Sequence, residues 1–292
     1  MISILIPTYN YDVFPLVKVL HEQAKKLLID FEINVYDDCS PQPVGANENI
    51  NGLAHASYQI LKKNIGRSAI RNLLAQHAKY ANLLFLDADT MIIKDDFLEN
   101  YLTALHSDTE IIYGGIIYQA DPPPKEQILR WHYGQEREAL PVLERKKQPH
   151  LRFLTLNFLI KKSVFSKLRF NEEIPNLRHE DTLFALDAKK KNIKVDHIDN
   201  SVIHLGIESS KIFLEKSRES VESLKAFVDQ GLINADDTAL SKKAEKIKKQ
   251  NLAAAITIFY KSSRRAMEKN LLSANPSLFV FDIYRLGYYL TL

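Results

Sequence analysis

Cys39 is the only cysteine in the chain, so no internal disulfide framework can form and the composition suits a reducing compartment. Long apolar runs are missing as well. The opening "MISILIPTYN" is too short for a membrane span and has no basic leader of the kind a secretory signal carries, so it reads as a cytoplasmic strand. The formal net charge of +3 is too small to argue for nucleic acid by itself. "IPTYNYD", which follows the first predicted strand, contains no glycine, and this excludes the G-x-G-x-x-G turn of a dinucleotide-dependent oxidoreductase. Internal repeats and low-complexity segments are also absent.

What remains is globular in composition: 292 residues, 46% hydrophobic and 26% charged, enough for one large α/β domain with an appendage or for two domains. Ile2 to Ile6 is a β-branched run stopped by Pro7, and Val13, Phe14, Val17, Leu20 and Ala24 follow at helical spacing. "EINVYDDCSP" repeats the strand and its stop, and "YQILKK" predicts a third strand. In "NIGRSAIRNLLAQHAKYA" the residues Ile70, Leu73, Leu74, His77 and Ala81 make one apolar face, with Ser68 the expected cap. Leu83 to Leu86 predicts a buried strand, and a helix is expected from about Asp96 to His106. From Gln119 to His150 the pattern loosens into an expected mobile loop, with a helix carrying Trp131 and Tyr133 offered inside it and a basic "ERKKQPH" after that. Beyond it come "FLTLNFLI", a turn over Lys162 to Lys167, a helix from Glu180, and the short runs "IKVDHI" and "SVIHLG". Strands that alternate with helices and are apolar on both faces predict a mostly parallel sheet covered by helices, with ligands at the carboxyl ends of the strands.

The acidic residues fall at those ends. Asp87 and Asp89 leave the buried "NLLFL" strand one alanine apart, where their mutual repulsion is relieved by a divalent cation, or by solvent and the cap of a following helix. Asp37 and Asp38 leave "NVY" in the same way. A carboxylate there can accept from a nucleobase imide or a ribose hydroxyl, or can close an Asx turn before Pro41. Gly66 permits close backbone approach to a ligand, and Arg71 lies off the apolar stripe of its helix, placed either for phosphate or for solvent. Glu180 and Asp181 occupy the first turn of a helix, which suits the helix dipole and equally suits a general base at a cleft. His204 follows a short strand, as a hydrogen-bonded core histidine or as a metal ligand.

In order and spacing, "ILIPTYN", "VYDDCS", "NIGRSAIRN", "LFLDADT", "LNFLIKKSVF", "RHEDTLF" and "VIHLG" resemble the family 2 glycosyltransferases of the GT-A fold, over roughly residues 2–207. The resemblance implies a Rossmann-like catalytic domain over 1–207 with a helical extension over 208–292. It implies an inverting enzyme that moves a sugar from a nucleoside-diphosphate sugar, a UDP-sugar first, to a hydroxyl of a glycan or glycolipid in surface polysaccharide assembly. Pro7, Thr8, Tyr9, Asp37, Asp38, Gly66, Arg71, Asp87 and Ala88 then fall to the nucleotide. Asp89, Asp87 and His204 fall to Mn²⁺ or Mg²⁺, and Asp181, with Glu180 second, to the base. Cys39 departs from the glycine or asparagine common at its position. Trp131, His132 and Tyr133 are either an acceptor platform or a buried helix face. A catalytically inactive member serving as a scaffold is the alternative, and the intact acidic pairs count against it.

Past residue 207 the basic stretches "KKAEKIKK" and "KSSRRAMEK" precede "SLFVFDIYRLGYYL", where Asp282 and Arg285 argue against a span. Two readings stand: helices lying on the anionic inner face of the membrane with their aromatics at the interface, or a subdomain packing on the catalytic part or a second copy.

Overall fold

The computed structural model describes residues 1–173 and 179–292. It separates into two compact units, one made of the described residues of Met1–Tyr118, Ala139–Asn176 and Glu180–Gly206, the other of those of Gln119–Glu138, Leu177–His179 and Ile207–Leu292.

The first unit is built on strands β1 (Ile2–Thr8), β2 (Phe31–Asp37), β3 (Ala56–Ile60), β4 (Asn82–Leu86), β5 (Thr90–Met91), β6 (Ile111–Tyr113), β7 (Ile116–Ile117), β8 (Asn157–Lys161), β9 (Val195–His197) and β10 (Val202–His204). Seven of them form one sheet in the order β3-β2-β1-β4-β8-β6-β9. β3, β2, β1 and β4 run parallel, β8 is antiparallel to both its neighbours, and β6 and β9 are parallel. Chain order therefore reverses at β1, with β2 on one side and β4 on the other. That is the switch point at which open α/β sheets leave a crevice. The register sets Thr8 opposite Asp37 and Leu5 opposite Phe85, so the residues just past β1, β2 and β4 emerge along one edge.

The alternation of each strand explains why both faces are covered. Ile2, Ile4 and Ile6 point to one side and pack with Leu16, Val17 and Leu20 of α1 (Phe14–Lys26) and with Phe97, Leu98 and Tyr101 of α3 (Phe97–Thr103). Leu5, Leu83 and Phe85 point to the other. There they meet Ile70 and Leu74 of α2 (Gly66–His77), Phe165 of α6 (Lys162–Leu168) and Phe184 of α7 (Glu180–Lys190). Each such fully buried side chain contributes roughly 2 kcal/mol of transfer free energy.

Three local expectations are corrected. The helix expected over Asp96 to His106 is the shorter α3, and the turn expected over Lys162 to Lys167 is the helix α6. Within the loop expected over Gln119 to His150, the helix expected around Trp131 and Tyr133 is α4 (Ile128–Tyr133) of the second unit, while the basic stretch expected to be irregular contains α5 (Val142–Lys146) of the first. Arg145 explains the order of α5: its buried guanidinium donates to the carbonyls of Leu140, Gly114 and Ile198 at 3.0, 3.3 and 3.0 Å. A basic run looks solvated in sequence, and nothing local marks its one internal member.

The second unit joins α4 to α8 (Ser210–Asp229), α9 (Ala239–Lys249), α10 (Ala253–Leu271) and α11 (Leu278–Thr291). Side-chain oxygens of Ser209, Thr238 and Ser277 cap α8, α9 and α11 by accepting from backbone amides. Its core comprises Leu129, Leu214, Tyr260, Met267, Leu271, Phe281 and Tyr284. Gly287 lies against Tyr260, where a Cβ would come within 2.6 Å of the ring, so α10 and α11 approach closely only because that position has no side chain. The aromatics of "SLFVFDIYRLGYYL" mostly face inward: Phe281, Tyr284 and Tyr289 are buried. Among the described residues no helix is long and apolar enough to cross a membrane.

Candidate active site

At the sheet's switch point Pro7, Thr8, Tyr9, Tyr11, Asp38, Arg67, Arg71, Asp87, Ala88 and Asp89 line a cleft of about 210 Å³. The chain takes several of these positions for reasons of backbone geometry. Asp38 follows β2 directly, and its carboxylate accepts from the amides of Ile65 and Gly66 at 2.7 and 2.9 Å. It therefore serves as the N-terminal cap of α2, which starts at Gly66, not at the expected Ser68. The cap lies 28 residues away in sequence, so no local pattern could announce it. Gly66 has φ of 84° and Cys39 φ of 62°, both in the left-handed region. The second value explains why glycine or asparagine would be at home at position 39.

Asp37 is placed differently from Asp38. It does not line the cleft; its carboxylate accepts from the Tyr58 hydroxyl at 2.8 Å and the Ser40 amide at 2.7 Å. This is the Asx-turn arrangement before Pro41. Burial, followed by its bond to Asp37, raises the Tyr58 hydroxyl well above the usual phenol range.

Past β4 the two aspartates divide. Asp87 accepts from Arg71 Nη2 at 2.7 Å, while Asp89 Oδ2 lies 3.3 Å from His204 Nε2. Arg71 is buried and also packs over the Phe170 ring. Burial disfavours its charge, yet Asp87, Glu180 and Asp181 together hold its pKa above the ordinary value. Burial also pushes the Asp87 carboxyl up and the like charge of Asp89 adds to this, while Arg71 and His204 pull it down. The Asp87 side chain keeps 31% exposure and the short ion pair, so we read it as ionised at neutral pH. These couplings bring residues from α2, β10, α7 and the end of β4 into one electrostatic field.

His204 reaches Asp89 through the second sheet, ordered β5-β10-β7, in which His204 pairs with Thr90. The Leu205 amide donates to the Asp89 carbonyl at 2.8 Å, locking the two segments together. A Cβ on Gly206 would fall 2.0 Å from Asp89 Oδ2, so this glycine is what leaves room for the carboxylate. Glu180 and Asp181 occupy the first turn of α7, as expected. Glu180 pairs with Arg67 Nη1 at 3.6 Å, and Asp181 Oδ1 accepts from the Thr182 amide at 2.7 Å.

Sequence reasoning missed Tyr11, Arg67 and Gly206. Arg67 alone had a usable signal, since it lies four residues before Arg71 and so shares its helix face. Trp131, His132 and Tyr133 are in α4 of the second unit. There Tyr133 packs against the rings of Phe213 and Phe281, and the Trp131 indole donates to the Gln119 carbonyl at 2.8 Å. Of the "RHEDTLF" stretch, Arg178 lies outside the described residues.

The profile described as Glycosyl transferase family 2 matches residues 3–169, more than half of the chain. The protein belongs to this family. As a family 2 glycosyltransferase it is 26% identical over 240 residues to the succinoglycan biosynthesis protein ExoW of Rhizobium meliloti (strain 1021), covering 77% of this chain and 74% of that one. Its fold is similar to that of the mannosyltransferase PcManGT of Pyrobaculum calidifontis, solved in complex with GDP-Man and Mn²⁺, with a TM-score of 0.56, 13% identity, and coverage of 99% and 84%. TarS 1-349 of S. aureus, solved in complex with UDP-GlcNAc, aligns with a TM-score of 0.50 at 17% identity, covering 99% and 89%. These likenesses establish the GT-A fold of the glycosyltransferase; its cleft residues rest on the geometry above.

Proposed function

We propose that this glycosyltransferase moves a sugar from a nucleoside-diphosphate sugar, with UDP-sugars the first candidates, to a hydroxyl of a glycan or glycolipid, with inversion. The observation that carries the reading is the meeting of Asp38, Arg71, Asp87 and Asp89 in one cleft at the switch point, with His204 beside Asp89. On this reading the catalytic part spans 1–207 and 208–292 is an extension, although 119–138 fold with the latter. The similarity to ExoW, a succinoglycan biosynthesis protein, supports a place in polysaccharide assembly.

The donor set fits a divalent cation. Two ligands at right angles about 2.1 Å from a metal lie about 3 Å apart, close to the 3.3 Å between Asp89 Oδ2 and His204 Nε2. His204 Nδ1 is buried and, among the described residues, has no hydrogen-bond partner. Among the described residues no cluster of three or more acidic, histidine or cysteine side chains could hold a metal. Asp89 and His204, with Asp87 in the same electrostatic field, would hold Mg²⁺ or Mn²⁺ through oxygen and imidazole donors, and phosphate oxygens of the donor would complete the set. When bound, the ion supplies positive charge against the departing diphosphate.

The chain's own residues do the rest. Asp38 keeps lone pairs beyond the two it commits to α2, enough to accept from a base imide or a ribose hydroxyl. Pro7, Thr8 and Tyr9 wall the nucleotide, and Arg71 holds Asp87 in place. Asp181 takes the proton of the attacking hydroxyl as it meets the anomeric carbon on the face opposite the diphosphate, in one displacement.

The test is thermal denaturation with UDP, GDP and Mn²⁺, singly and together, followed by nucleotide-sugar hydrolysis. UDP with Mn²⁺ is expected to raise the midpoint by several degrees where neither does alone, since a ligand at about 100 times its Kd adds about 2.7 kcal/mol. A scaffold would show no hydrolysis. Absence of any metal-dependent nucleotide effect overturns the site. Gly206→Ala provides a second check: by displacing Asp89 it should weaken the Mn²⁺-dependent midpoint shift at least about tenfold in Mn²⁺ concentration, leaving the midpoint without ligand nearly unchanged.

A further inference from the structure

We propose that the corner between α9 and α10 is a peripheral docking site for an anionic phospholipid surface. It is built from residues of the second unit, none of which lines the cleft, and is independent of the donor assignment.

α10 turns Tyr260, Met267 and Leu271 into the core of its unit, and its outer stripe is left without cover. At the N-terminal end that stripe is apolar: Leu252, Ile258 and Phe259 are 48%, 68% and 54% exposed. Such side chains standing in water are unfavourable, and among the described residues they keep about half or more of their surface exposed. Along the same face, at spacings of three and seven from Ile258, come Lys261 and Arg265, both exposed. The last turn of α9, which ends three residues before Leu252, adds exposed Lys246 and Lys249. Among the described residues none of these four cations has an acidic partner. Glu268, the only acid on α10, is occupied by Arg264 and the Tyr284 hydroxyl, each at 2.9 Å.

The charge is also segregated along the chain. Residues 239–271 carry nine lysines and arginines against two glutamates, while the other 259 residues carry 30 against 34. The mildly basic total therefore conceals one strongly basic corner on an otherwise acidic chain. An apolar tip ringed by cations complements a leaflet of anionic headgroups over acyl chains, with the tip entering the boundary and the cations staying at headgroup level. A polyphosphate chain would satisfy the cations and leave Ile258 and Phe259 in water. A second copy placed face to face would set four cations against four. The aromatics of α11, which the sequence offered for this role, are mostly internal, so the contact moves to the preceding helix.

The test is flotation of the full chain with phosphatidylcholine vesicles and with vesicles carrying about one-third phosphatidylglycerol, at about 0.1 M and about 1 M NaCl. Binding is expected only to the anionic vesicles and only at the lower salt. Ile258→Ser with Phe259→Ser should lower partitioning at least about tenfold. Lys246→Gln, Lys249→Gln, Lys261→Gln and Arg265→Gln together should abolish the preference for anionic lipid. Nucleotide-sugar hydrolysis without vesicles should be unchanged in both variants, which serves as the control for folding. Failure of the wild type to float, flotation of the variants equal to wild type, or a dimer that dissociates in the serine variant would each overturn the proposal.

Discussion

Asp181→Asn is expected to cut donor turnover about 10³-fold while leaving metal-dependent nucleotide binding within twofold of wild type. The substitution keeps the shape of the side chain and an oxygen for the Thr182 amide, which Asp181 Oδ1 now meets at 2.7 Å. What it removes is the capacity to accept a proton. Loss of one negative charge in the first turn of α7 costs about 0.5 kcal/mol through the helix dipole, too little to unfold the chain. Glu180→Gln is the comparison. Glu180 is turned to Arg67 Nη1 at 3.6 Å, so its substitution should cost less than tenfold. Donor hydrolysis measures both, with water in place of the acceptor hydroxyl. If Asp181→Asn keeps more than a tenth of the wild-type rate, or if Glu180→Gln is the more damaging change, Asp181 is not the base.

The parts of this site that sequence reveals are those whose physics is local. β1, β2 and β4 were readable because β-branched or leucine-rich runs end abruptly in proline or acid, and the acids themselves fall where such strands leave the core. α2 was readable from its apolar stripe, but its start was not, because the cap comes from Asp38 across 28 residues. Asp37 and Asp38 were indistinguishable neighbours in sequence. Only in the structure do they part, Asp37 accepting from the Tyr58 hydroxyl delivered by β3 and Asp38 from the first amides of α2. Gly206 follows the same rule, since the need for a missing Cβ arises from the approach of Asp89 and nothing nearby requires it. The antiparallel β8 inside a parallel sheet was likewise invisible, because a strand apolar on both faces does not encode its direction.

Acidification from about pH 6.5 to about pH 4 is expected to cost the fold about 3 kcal/mol through one residue, His197. Burial first, and then the positive charges of Arg145 and Lys146, hold its pKa down to about 4, against the pull of the Pro149 carbonyl and of Asp196. The imidazole donates from Nε2 to the Pro149 carbonyl at 2.9 Å, so Nδ1 bears no proton and faces Arg145 Nη1 at 3.4 Å. Protonating Nδ1 would set a cation against a guanidinium inside the protein. A histidine with a depressed folded pKa is neutral in the fold while the unfolded chain already binds the proton. The stability is therefore present in full above about 6.5 and is lost as the pH falls toward 4. His197→Phe should melt lower than wild type at pH 7, having lost the Pro149 bond, and should lose this part of the decline toward pH 4. Urea midpoints for the two proteins at pH 7 and pH 4.5 decide it, and equal slopes in both would remove His197 as the cause. Arg145→Ala acts on the same cluster by a different route. It strips the donor from the carbonyls of Leu140, Gly114 and Ile198, costing about 3 kcal/mol at neutral pH and less toward pH 4, where its charge no longer opposes protonated His197, and it frees the Gly114-Gly115 turn that leads into β7. β7 pairs with β10, the strand that carries His204. A buried arginine far along the chain from any acidic motif thus bears on whether His204 meets Asp89, and Arg145→Ala should weaken Mn²⁺-dependent nucleotide binding along with the fold.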